Sequence, residues 1–150
     1  MSVQTIRVVI AGALLLHGIA HAIGLGALLA QSLRGLSTSW VAVRSWLFPT
    51  LSTNTAATAA VPFWIVPTIG FIASSASFWG ILVPSGWWRQ LALAGSIASI
   101  LGIALFSGSW PGSPNSERSI LNTSIALIMN IVILVAQLWL HWPSEVLFGK

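Results

Sequence analysis

No cysteine occurs in the 150 residues of this chain. That removes disulfides, thiolate zinc sites, iron–sulfur ligation and thiol redox chemistry together, and leaves the compartment open. Charge is nearly missing too. Only 5% of residues are charged, against roughly 25% in soluble domains. A chain with 56% hydrophobic residues cannot cover a water-facing surface and belongs in lipid. The net charge of +4 comes from Arg7, Arg34, Arg44, Arg89, Arg118 and Lys150 against Glu117 and Glu145. These are too few and too scattered for nucleic acid. All lie at or outside the apolar runs, where they read as interfacial anchors.

Acids are lacking at membrane depth, since both glutamates sit at loop ends. That excludes a carboxylate base, an acidic metal ligand and an acidic proton relay there. No Gly-x-Ser-x-Gly turn occurs, and a Ser–His pair would lack its orienting acid. No catalytic constellation is found, and the expectation is a protein that is not an enzyme.

What is present is a set of four apolar runs, each near the roughly 20 residues that cross a bilayer as a helix. They cover about residues 6–30, 63–83, 88–107 and 119–141. Prolines at 62, 84 and 143 mark element ends, where a missing N–H is tolerated. Pro67 predicts a bend or a late start in the second helix. Arg7, the first run and Ala20-His21-Ala22 superficially resemble a signal peptide with its cleavage site. The run continues to Ala30 and carries histidines, so a retained span is expected. The fold class is all-α: one four-helix transmembrane bundle, a single integral membrane domain over residues 1–150. Its long first loop includes SWVAVRSWLF, which reads equally as a short interfacial helix or as irregular chain. The following PTLSTNTAATAA is too polar for a fifth span.

Nine tryptophans and no tyrosine are present. Trp64, Trp79, Trp87, Trp88, Trp110, Trp139 and Trp142 fall near predicted helix ends, and Trp40 and Trp46 in the first loop. Indole favours the headgroup boundary, so the helix-end set is expected as interface anchors. Lys and Arg near the span ends divide evenly between the two sides. The α-amino group then tips the expectation to both termini inside.

Within the runs, polar residues repeat in phase. His17 and His21 differ by about 40° around the first helix, with Ala13 and Gly24 flanking them. Gly18, Ala22, Gly26 and Ala30 form a small-residue packing stripe beside them. Thr123, Asn130, Gln137 and His141 share one stripe of the fourth helix. Ser74 and Ser75 lie at mid-depth in the second helix, and Ser96 and Ser99 in the third. Such groups face the bundle interior, because lipid cannot satisfy them. They serve either as interhelical glue or as a small polar site at the bilayer centre.

The histidine pair leaves three roles open. It can hydrogen-bond Asn130, a serine or a carbonyl. It can ligate a metal ion or a porphyrin-type pigment, haem or chlorophyll-like. It can handle protons. His141 lies some 16 Å along the axis from its segment's centre, which disfavours a bis-histidine haem.

Leu16-His17-Gly18 followed by His21 resembles a loose group of small bacterial membrane proteins with four spans and a Leu-His-Gly signature in the first. The size and hydropathy are also similar to those of DoxX-type proteins, carried by no specific motif. The resemblance implies a fold and a membrane location, not an activity. Three functions follow as expectations. The first is a non-enzymatic subunit or accessory protein of a larger assembly in a bacterial inner membrane, partnered by lipid and other membrane subunits. The others are a cofactor-carrying protein with ligands at His17 and His21, and a small carrier for an uncharged or lipid-like molecule.

Overall fold

The computed structural model describes residues 2–34, 43–108 and 117–144. The first helix, α1 (Val3–Arg34), is capped by Ser2, whose hydroxyl accepts from the Thr5 N–H at 3.1 Å. It is about 48 Å long at 1.5 Å per residue, so its ends pass beyond a hydrocarbon layer of about 30 Å. Of the loop stretch expected as an interfacial helix, residues 39–42 lie outside the described residues. The described part is not helical. Strand β1 (Arg44–Ser45) pairs antiparallel with β2 (Phe106–Ser107) in the register Arg44↔Ser107 and Ser45↔Phe106. Ser45 Oγ accepts from the Phe48 N–H, and the Trp46 indole N–H donates to the Ala104 carbonyl.

The second span starts earlier than its hydropathy indicates. Helix α2 (Thr53–Ala60) is capped by Ser52 and runs through Val61 into α3 (Pro62–Ser77). The Val61 N–H bonds back to Ala57 O, and the Ile65 N–H bonds back to Val61 O, so the two pieces read as one apolar rod, Thr53–Ser77. The polar stretch is helical because its polarity lies on one side. Ala56, Ala57 and Ala60 are buried, while Thr53, Asn54, Thr55 and Thr58 face out. Thr58 satisfies its hydroxyl on the Asn54 carbonyl of its own helix. Pro67 neither delays nor ends α3; it lies buried within the helix.

The same span ends sooner than Pro84. The Ile81 N–H reaches Ala76 O and the Gly80 N–H reaches Ser77 O, with Gly80 at φ 65°. That pair of bonds is a Schellman stop, which needs a left-handed residue and finds glycine. A 3₁₀ turn at Ser85–Trp87 opens α4 (Trp88–Leu105). Helix α5 (Glu117–Leu134) continues as a π-turn over Val135–Trp139, closed by the Leu140 N–H on Val135 O.

Among the described residues, four helical rods are long and apolar enough to cross a membrane. Helix α3 packs closely on α1 and α4, α4 on α5, and α1 on α2; α1 and α5 share no comparable seam. The α3–α4 contact depends on glycine. A Cβ on Gly70 would stand 2.8 Å from Leu91 O and 3.2 Å from Gly95 Cα. Two apolar clusters result. One gathers Ala11, Leu14, Phe71, Phe78, Trp88 and Ala92. The other gathers Leu28, Val43, Ala56, Ala57, Ala60, Trp64, Phe106 and Ala126. Outward faces are aliphatic: Leu16, Ile19 and Ile23 on α1, and Ile125, Ile128, Val132 and Val135 on α5, are exposed.

Candidate polar site at the centre of the bundle

Four side chains from three helices meet at mid-depth. His17 Nε2 lies 3.0 Å from Asn130 Oδ1, Asn130 Nδ2 lies 2.7 Å from Ser99 Oγ, and Ser99 Oγ lies 3.2 Å from His21 Nε2. All four residues are buried. Donor roles follow from the amide. Its oxygen can only accept, so His17 carries its proton on Nε2 and donates. Its NH₂ donates to Ser99, whose Oγ is in turn hydrogen-bonded to Nε2 of His21. The amide therefore holds His17 as the Nε2–H tautomer.

Aromatic rings pack around this chain. His17 and His21 meet edge to face at 5.0 Å between centroids, and Phe71 sits 4.5 Å from His17 and 5.7 Å from His21. Trp64 closes the far side at 5.9 Å from His21. Gly18 lets α3 approach here: a Cβ would stand 2.7 Å from Ile72 Cγ1 and 3.2 Å from Phe71 Cβ.

This geometry bears on the cofactor readings. Nε2 of each ring already has a protein partner, so ligation there would break the chain. Phe71 packs at a tilt against the His17 ring, where a planar macrocycle would need room. No group of three metal-ligating side chains occurs among the described residues. The residues present do not fit a metal ion or a porphyrin held through Nε2 of either histidine. Nor does the chain form a path across a bilayer. It begins and ends on α1, four residues apart, about 6 Å of axial travel.

The remaining sequence candidates divide. Ser74 Oγ donates to Trp88 O at 2.7 Å and Ser75 Oγ to Ala11 O at 2.8 Å, so both hydroxyls tie α3 to its neighbours as glue. Ser96 is fully buried, and its Oγ meets no partner among the described residues. Thr123 is half-buried. Gln137 lies buried inside the π-turn, its Oε1 also without a partner among the described residues. Of the small-residue stripe, only Gly18 is tightly packed. Ala22 and Ala30 are half-buried, and Gly26 is exposed with open space where a Cβ would stand. The stripe is not one seam, because α3 crosses α1 near Gly18.

The tryptophans need a correction. Trp79, Trp87, Trp139 and Trp142 are exposed. Trp64 and Trp88 are buried, with Trp64 at 0%. Gly102 leaves a slot that the Trp64 ring fills, since a Cβ there would lie 2.7 Å from Cζ3. Trp88 packs on Phe78 at 4.9 Å between centroids, with the Arg89 guanidinium 5.3 Å from its ring. Trp110 lies outside the described residues.

Three features had no sequence signal: Phe71 as the ring against both histidines, the π-turn at Gln137, and the arginine ties. Arg7 donates to Phe78 O and Arg89 to Pro143 O, both at 2.9 Å, so each arginine holds the end of a neighbouring helix. Comparison of the whole chain with known protein families, curated proteins and solved structures found no match.

Proposed function

We propose that this chain is a non-enzymatic integral membrane protein that serves as a subunit or accessory component of a larger membrane assembly. One observation carries the reading. The central polar chain runs from His17 through Asn130 and Ser99 back to His21 on the same helix, so its hydrogen bonds go into fixing helices. What the molecule offers outward is apolar: broad aliphatic faces of α1 and α5 and the exposed rings of Trp79, Trp87 and Trp139. Partners are accordingly membrane lipid and the transmembrane helices of other subunits. The setting is a bacterial inner membrane with both termini on the cytoplasmic side.

Two experiments test this. Extraction from native membranes in mild detergent, after brief crosslinking, is expected to yield a stoichiometric complex. A lone 15.9 kDa chain under those conditions sinks the accessory role. Orientation is read by single cysteines, which the cysteine-free chain permits without background. A cysteine at Ser2 should be shielded from impermeant maleimide in intact cells, and labelling there reverses the topology.

A further inference from the structure

The weakest side of the bundle lies between α1 and α5. These helices share no close seam, yet His17 and Asn130 bridge them. On α1 the stripe that carries His17 opens outward: Ala13, one turn earlier, is exposed, while His21 and Gly24 are buried. On α5 the stripe that carries Asn130 continues two turns to Gln137, in the same direction along the bundle because the helices run antiparallel. Ile10 and Ile133 flank this stretch with apolar side chains, both packed on the cluster of Ala11, Leu14 and Phe71.

Two acceptors on these two stripes are without a donor among the described residues. With Nε2–H given to Asn130, the other ring nitrogen of His17 carries a lone pair, and no described group donates to it. His17 retains 7% of its surface exposed, at the edge of the bundle. Gln137 Oε1 is buried and likewise receives no hydrogen bond among the described residues. It sits in a π-turn, an interruption that recurs at functional positions in helices. A buried acceptor left unsatisfied is costly, more so where lipid supplies no donor.

We propose that the α1–α5 seam binds the hydroxyl end of an uncharged, membrane-dissolved amphiphile. A lipid-soluble alcohol or phenol fits the requirement. It donates to His17 Nδ1 or Gln137 Oε1 and lays its apolar body along Ile10, Ala13 and Ile133. Charge is not called for, since the described residues of this stretch carry none. The site extends beyond the accessory role and does not depend on it.

The test uses the full chain in lipid nanodiscs and two photoreactive probes. One is a long-chain alcohol bearing a mid-chain diazirine, the other its methyl ether. The alcohol is expected to label peptides containing Ile10–His17 and Ile133–Gln137 at least about fivefold more than the ether, the loss expected for one hydrogen bond. Gln137→Leu should reduce that difference while leaving the His17–Asn130–Ser99–His21 chain intact, and His17→Phe should reduce it as well. Should His17→Phe fail to fold, Gln137→Leu alone decides. Equal labelling by alcohol and ether overturns the proposal, as does an alcohol preference that Gln137→Leu leaves unchanged.

Discussion

Replacing Asn130 by leucine tests the central chain most directly. The change removes two hydrogen bonds at once, to His17 at 3.0 Å and to Ser99 at 2.7 Å. Interhelical hydrogen bonds in membranes average about 0.6 kcal/mol and reach about 1.7, so the two bonds together give about 1.2–3.4 kcal/mol. Leucine also strands the Nε2–H of His17, and an orphaned buried donor costs about 1–3 kcal/mol. The expected loss is about 2–6 kcal/mol. Ser75→Ala supplies the scale, because it deletes one bond, to Ala11 O, and should cost about 0.6 kcal/mol. Reversible unfolding in mixed lipid–detergent micelles, titrated with SDS and followed by tryptophan fluorescence, measures both. A double-mutant cycle with Ser99→Ala adds a second criterion. Both changes sever the same chain, so their joint cost should fall short of the sum. If Asn130→Leu costs no more than Ser75→Ala, or adds fully with Ser99→Ala, the four residues do not act as one unit.

The chain also fixes a proton position: ¹⁵N shifts of labelled imidazoles should show Nε2–H on His17, and Nδ1–H there refutes the donor order. Gly70→Ala should cost about 1–3 kcal/mol by driving a methyl group against the Leu91 and Gly95 backbone. Gly26→Ala, in open space, should be neutral or stabilise by up to about 1 kcal/mol. Equal tolerance of the two changes in the same unfolding assay would remove the close α3–α4 approach from the argument.

The bundle and the members of its central chain were legible in the sequence. Asn130, His17, His21 and Ser99 each stood near the middle of an apolar run, and helical phase turned them inward. Their pairing was not legible. His17 and Asn130 are 113 residues apart, and their contact depends on axial register between helices, which no local pattern encodes. Trp64 misled for a related reason. The boundary preference of indole is an average, and the slot at Gly102 exists only once α3 and α4 are aligned. The start of the second span was readable in principle, because Ala56, Ala57 and Ala60 form a helical stripe. Mean hydropathy hid it, counting the threonines without asking which way they face. Its end was hidden in the opposite way: Gly80 marks the stop, but Ile81, Leu82 and Val83 prolong the apolar run beyond it.

The two-residue ladder between Arg44–Ser45 and Phe106–Ser107 has a consequence for how the interior is reached. It latches the first loop across the end of α4, with Val43 and Ser45 tucked under and Arg44 outside. Beneath that latch, Trp64, Phe106, Leu28 and Ala126 pack together. On the other side of the histidines lies the cluster of Phe78, Trp88 and Ala92. An approach to the buried imidazoles past either cluster would have to displace these packed side chains.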